Sequence, residues 1–260
     1  MNGLGVKLSE RYRPIKPLFY PTFAAIEPTF ACDLDCLICQ RKTMRRNKLS
    51  LDLADFKLIL AKMPWLFSIN LQGFGEPFLC RDIFTMIDYA AAKGIRVYTF
   101  SNGNFDSGII PDICNSRLSE LIISLDGATK STYEQIRRGA SWQRLTDNIR
   151  QLFSAKLDHL ILRAWIVPNR LNLGELAETV EYAQALGFRN ISIQSKLSVF
   201  SYKPDQHQRV ENIIISDQHQ LAETLLDIQN THPHVEIVKD AVMSRRHPCR
   251  WPWNGLFIST

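Results

Sequence analysis

Cys32, Cys36 and Cys39 fall within the stretch ACDLDCLICQ, and they are half of the six cysteines in a chain of 260 residues. Thiolates are soft donors that suit an iron–sulfur cluster or zinc. Structural zinc normally takes four ligands. The loop holds no histidine and no fourth cysteine, and the nearest others in sequence are Cys80 and Cys114. Three thiolates on a four-iron cube leave one iron open, where a substrate or cofactor can bind. A zinc site completed from elsewhere in the chain, three ordinary free thiols, or a regulatory disulfide that leaves the third thiol unexplained remain as alternatives. Cys80 and Cys114 stand alone, near or in helical segments, and read as small buried hydrophobes. No two of the six histidines form a close metal pair.

Three other short stretches could do chemistry beside the thiols. Residues 72–77, QGFGEP, carry two glycines that allow close backbone approach and a carboxylate, Glu76, that can accept hydrogen bonds from an ammonium group. Ser101 and Asn102, with Gly103, offer a hydroxyl and an amide suited to a ribose or a carboxylate. Ser124 and Asp126, in SLDG, lie on one side of an extended chain by the period of two.

These stretches need elements to bring them together. Apolar runs at 23–28, 68–73, 95–100, 120–127, 159–166 and 190–195 read as strands, and 120–127 is apolar enough for burial on both faces. Helical patterns cover 52–63, about 81–93, about 142–155 and 172–187, with Gly94 and Gly187 where C-caps belong. Such alternation implies parallel strands joined by right-handed crossovers, in an open sheet or a closed or partial barrel. In either fold the loops at the C-terminal strand edge carry the chemistry. The cysteine loop, GFGEP, SNG and SLDG all follow strands at that edge. A helix at about 217–230 and a short strand at 234–239 come later.

Composition sets the class. Hydrophobic residues make up 45% and charged residues 22%, which excludes disorder. There is no apolar signal segment and no run of about 18 apolar residues, so neither secretion nor a membrane span is expected, and a cytoplasmic, reducing setting is the default. The net charge of +5 is spread, with one cluster at Arg41, Lys42, Arg45 and Arg46 that reads as a solvated face. Nucleic acid and membrane are not expected partners.

Cx3Cx2C after a first strand resembles the cluster loop of the radical S-adenosylmethionine (radical SAM) superfamily. Gly75-Glu76-Pro77 is similar to the family's GGEP motif, with Phe74 inserted between the glycines, and SLDGATKSTYEQIRRG resembles a further family segment. The resemblance implies an α/β fold, a partial (β/α)6 TIM-like barrel. It also implies a [4Fe–4S] cluster on Cys32, Cys36 and Cys39, and S-adenosylmethionine on its open iron. Reductive cleavage of that cofactor yields a 5′-deoxyadenosyl radical that takes a substrate hydrogen. By the same resemblance Gly75 and Glu76 meet the amino group, Ser101, Asn102 and Ser124 the polar parts of the cofactor, and Arg137 its carboxylate. Asp126 orients cofactor or substrate, and Ile38 gives an apolar contact where relatives often have an aromatic. A one-electron donor such as flavodoxin or ferredoxin is implied.

Cys249-Arg250-Trp251-Pro252-Trp253-Asn254-Gly255 resembles the start of a SPASM or twitch extension, whose further cysteines hold auxiliary iron–sulfur clusters. The expected organisation is an arm at 1–22, a core at 23–216, and a helix, strand and extension start at 217–260. An auxiliary cluster is expected only if the chain continues past 260, and a shortened sequence is the expectation. The substrate class expected from such relatives is a peptide or protein side chain. A dehydrogenase or maturase acting on a sugar, alcohol or cofactor precursor, and a truncated, non-catalytic peptide-binding paralogue, are the alternatives.

Overall fold

Alternation along each strand separates two environments. Ile69, Leu71, Val97, Leu121, Ile123, Ala164, Ile166, Ile191 and Ile193 are all buried and pack in one core with the helices. The intervening residues, among them Asn70, Tyr98, Glu120, Arg163, Trp165 and Ser192, line a cavity on the other face of the sheet. The computed structural model describes residues 20–41, 44, 46, 49–197, 211–238 and 255–259.

Eight strands build the sheet: β1 Phe23–Ile26, β2 Ser68–Leu71, β3 Arg96–Ser101, β4 Glu120–Ser124, β5 Ile161–Ile166, β6 Asn190–Gln194, β7 Glu236–Val238 and β8 Gly255–Ile258. Their order is β7-β6-β5-β4-β3-β2-β1-β8, every pair parallel. The sheet curls around its cavity with β7 and β8 as the two edges, an open, incomplete barrel. Among the described residues the helices are α1 Leu53–Lys62, α2 Ile83–Ala92, α3 Ile110–Asn115, α4 Lys130–Ile136, α5 Trp142–Ser154, α6 Leu176–Leu186 and α7 Gln218–Thr231.

Local chemistry fixes the helix ends. Asp52, Thr129, Ser141 and Asp217 cap α1, α4, α5 and α7 by accepting from backbone N–H groups of the first turn. Gly94 and Gly187, with φ of +78° and +113°, follow α2 and α6, as their positions in the sequence predict. On α5, Leu145, Ile149 and Leu152 recur at helical spacing and are buried, each contributing about 1.5–3 kcal/mol.

The strands expected from sequence are all present; the third keeps its length but starts one residue later, and the others are slightly shorter. The fourth stops at Ser124, so Leu125-Asp126-Gly127 is already loop, and α6 begins at Leu176 after a 3-10 turn at Leu173–Glu175. The short helix α4 was not expected, and neither was β8, while α3 was anticipated only in the placing of Cys114 near or in a helical segment. β8 lies beside β1 in the register Phe23↔Gly255 to Ile26↔Ile258. The later segments therefore extend the one sheet: β7 beyond β6, β8 beyond β1. The arm up to residue 19, the polar stretch 198–210, Lys42, Arg45, and Cys249, Trp251 and Trp253 of the tail motif lie outside the described residues. Among the described residues no helix is long and apolar enough to cross a membrane.

Candidate cluster and cofactor site

The loop after β1 is pinned from three sides. The Asp35 and Leu37 N–H groups donate to the Arg138 and Ile136 carbonyls at the end of α4, both at 2.8 Å. Arg41 is 7% exposed, and its Nη2 donates to the carbonyls of Leu34 (2.9 Å) and Cys32 (3.4 Å). Arg41 therefore braces the loop rather than joining a solvated face. The Glu76 N–H donates to the Ala31 carbonyl at 2.7 Å, drawing GFGEP against the cysteines.

That approach explains the two glycines. A Cβ on Gly75 would stand 2.1 Å from the Thr29 carbonyl oxygen and 2.6 Å from that of Ala31, and one on Gly73 would stand 2.2 Å from Glu27 Cγ. Phe74 between them costs no contact. Its N–H donates to Glu27 Oε1 (2.8 Å) and its ring meets Phe30 edge-on. Glu27 is fully buried and paired with Arg46 at 2.6 Å, and the Arg46 guanidinium lies over the Phe30 ring. Arg46 is thus a second member of the basic cluster with a structural partner. Sequence reasoning passed over Glu27 because its contacts reach 19 and 47 residues along the chain.

Cys32, Cys36 and Cys39 line one pocket of about 290 Å³. Ile38, Gly75, Glu76, Ser101, Asn102, Ser124 and Arg137 share that lining, so ten of the eleven residues singled out in the sequence are on its walls. The eleventh, Asp126, is fully buried behind Arg137, accepting from Arg137 Nε (2.7 Å) and Nη2 (2.6 Å) and from the Val167 N–H (2.8 Å). Arg137 Nη1 in turn lies 3.9 Å from Cys36 Sγ. Trp165 and Val167 also face the pocket, while Ala164 and Ile166 pack toward the helices. Asn172 and Asn169 donate to the Val167 carbonyl and shape the turn that presents it.

Ser101 and Asn102 serve Glu76 directly. Ser101 Oγ donates to Glu76 Oε1 (2.9 Å), the Asn102 N–H donates to Oε2 (2.8 Å), and Asn102 Nδ2 donates to Asp33 Oδ1 (3.0 Å). Burial pushes the Glu76 carboxyl up to about 7, against the pull of these donors. Burial likewise pushes Cys32 up to about 12 and Cys36 to about 11, the latter despite the Arg137 guanidinium. Thiols so placed are held in the neutral form, and a metal ion that bonds to sulfur displaces the proton.

Residues 26–183 match the family model described as Radical SAM superfamily. The chain belongs to the radical SAM superfamily. Among curated relatives, the mycofactocin maturase MftC of Mycobacterium tuberculosis is 29% identical over 168 residues, covering 62% of this chain and 41% of that protein. An AdoMet-dependent heme synthase of Methanosarcina barkeri is 26% identical over 172 residues, covering 64% and 48%. The radical SAM fold is also that of Streptococcus suis SuiB bound to S-adenosylmethionine, with a TM-score of 0.73 at 16% identity over 99% of this chain and 62% of that one. The chain spans less than half the length of these curated relatives.

The family's cofactors are a [4Fe–4S] cluster and S-adenosylmethionine, and the residues present fit them. Among the described residues no three His, Cys, Asp or Glu side chains converge tightly enough for a single metal ion. Three free thiols nevertheless share one pocket, as a multi-iron group requires. Gly73 and Gly75 keep the GFGEP wall of that pocket against the loop.

Proposed function

We propose that Cys32, Cys36 and Cys39 hold a [4Fe–4S] cluster, that S-adenosylmethionine binds beside it, and that the chain is the catalytic core of an enzyme removing a hydrogen atom from a peptide or protein side chain. The observation that carries this is the pocket whose lining all three cysteines share with a buried carboxylate, Glu76, and a buried guanidinium, Arg137. Bound there, the cluster would supply the one-electron reduction by which the cofactor is cleaved to a hydrogen-abstracting radical. Glu76 accepts from the amino group, Arg137 donates toward the carboxylate with Asp126 holding its plane, and Ser124 and Ile38 bound the remaining wall. Asp126 is a positioning residue in this scheme. A flavodoxin or ferredoxin supplies the electron.

The peptide reading draws support from a maturase among the relatives and from SuiB, solved with its precursor peptide SuiA. A small-molecule substrate is the second reading, favoured by the heme synthase relative. The test is anaerobic reconstitution with iron and sulfide, then dithionite and S-adenosylmethionine. Wild-type protein is expected to release 5′-deoxyadenosine and methionine, and Cys36→Ala to release neither. Equal release by the two proteins rules the assignment out.

A further inference from the structure

Asparagine is a poor strand former. Yet Asn70 sits between Ile69 and Leu71 in the middle of β2, 3% exposed, on the wall of a barrel lumen of about 1050 Å³. The other buried asparagines of the described residues are struts. Asn102, Asn104, Asn148, Asn169 and Asn172 all make side-chain hydrogen bonds that hold loops or turns. Asn70 Oδ1 has no hydrogen-bond partner. A buried acceptor left without a donor keeps its desolvation cost, which an arriving N–H group recovers. With nothing holding its oxygen, rotation of the carboxamide about χ2 offers either its acceptor or its donor to the lumen.

The lumen offers little to a charged ligand. Among the described residues its charged lining is Glu120, Arg163 and Glu236, and these are bound to one another. Arg163 Nε donates to Glu120 Oε1, and Nη1 donates to Glu236 Oε2 (3.1 Å). Arg96 precedes Tyr98 by two residues and shares its face of β3, so two guanidinium groups balance two carboxylates at that end. Tyr98, the partner of Asn70 in the β2–β3 register, and Trp165 supply flat apolar wall. Ala25, its partner in the β1–β2 register, takes up little of the space beside the carboxamide. The depth suits a short side chain. Gln72 and Trp165 line both the lumen and the cofactor pocket. Asn70 lies two residues before Gln72, about 7 Å at strand rise. A glutamine side chain of about 5 Å with one hydrogen bond of about 2.9 Å covers that distance.

We infer that Asn70 is a specificity-determining residue that pairs with the side-chain carboxamide of a peptide substrate, glutamine being the simplest case, with its methylenes along Tyr98 and Trp165. This rests on the functional reading above and names its substrate class. An uncharged amide brings a donor for Oδ1 and an acceptor for Nδ2, and it adds no charge to a balanced lumen. A site built to hydrogen-bond an N–H group rejects an analogue that lacks it, because the site's own polar group is then left unpaired.

The test has two parts. Asn70→Leu replaces the unpaired carboxamide with an apolar group of similar size. In the iron-free protein it is expected to keep or raise the unfolding midpoint, whereas loss of a structural asparagine lowers it. A fall of more than about 4 °C overturns the inference. The full chain, reconstituted anaerobically and saturated with S-adenosylmethionine, is then titrated calorimetrically with capped pentapeptides that carry glutamine, norleucine, glutamate or lysine between glycines. The glutamine peptide is expected to bind about tenfold or more tightly than the norleucine peptide, and neither charged peptide more tightly than norleucine. In Asn70→Leu the glutamine preference is expected to shrink to about threefold or less. Equal binding of glutamine and norleucine, tighter binding of a charged peptide, no binding of any peptide, or an undiminished preference in Asn70→Leu overturns the inference. Binding of S-adenosylmethionine is measured first on the same sample. Its absence sinks the functional reading and this inference together, whereas cofactor binding without a glutamine preference sinks only the assignment of Asn70.

Discussion

Asp126→Ala is expected to lower the unfolding midpoint of the iron-free protein by about 10 °C or more, an effect of about 3–5 kcal/mol in a chain of this size. The cause is what the carboxylate leaves behind. Both its oxygens are occupied, one by two nitrogens of Arg137 and the other by the Val167 N–H, and the whole group is fully buried. Its removal strands a guanidinium that is only 8% exposed and orphans a backbone donor. The loss also reaches the cysteine loop, since Arg137 Nη1 approaches Cys36 and the carbonyls of Ile136 and Arg138 anchor Leu37 and Asp35. Reconstituted Asp126→Ala should therefore hold markedly less iron than the wild type. A drop of under about 1 kcal/mol in thermal unfolding would show that the Asp126–Arg137 pair does not organise this corner.

Glu76→Gln is expected to weaken S-adenosylmethionine binding by about tenfold to a hundredfold, the worth of about 1.5–3 kcal/mol for hydrogen bonds to a charged acceptor. The pH dependence carries the finer signature. With burial holding the Glu76 carboxyl near 7, the carboxylate that accepts from an amino group is the minority form below that pH. The wild-type dissociation constant should rise as the pH falls below about 7, approach that of the glutamine variant, and level off above about 7. The glutamine variant, with nothing to titrate there, should be flat across that window. Parallel pH profiles for the two proteins would place the titrating group elsewhere.

How far the sequence reaches is clearest at particular residues. The three cysteines, GFGEP and SLDG were legible because each is a contiguous chemical phrase at the end of an apolar run. Parallel topology then carries all such ends to one edge. Gly94 and Gly187 were legible for a local reason, since only residues tolerant of positive φ close a helix that way. Glu27 was not: it reads as the end of a strand until Arg46 and the Phe74 N–H close on it. Arg41 and Arg46 read as surface charge because composition carries no information about which cations fold back on their own loop. Asp126 was legible as a residue of interest, but its two oxygens turn toward Arg137 and Val167, a placement set by the turn that Asn169 and Asn172 build after β5. The short helices α3 and α4 span six and seven residues, too few turns to show a period, and β8 is a four-residue strand whose partner, β1, lies at the other end of the chain.

The most direct measurement is electron paramagnetic resonance of the reconstituted, dithionite-reduced protein, frozen with and without S-adenosylmethionine, alongside iron and sulfide analysis. About four irons per chain and a cluster signal that changes when the cofactor is added are the expected result, since three thiolate ligands would leave one iron open to the cofactor. A signal indifferent to the cofactor, or a protein that retains zinc and takes up no iron, would contradict the assignment of Cys32, Cys36 and Cys39.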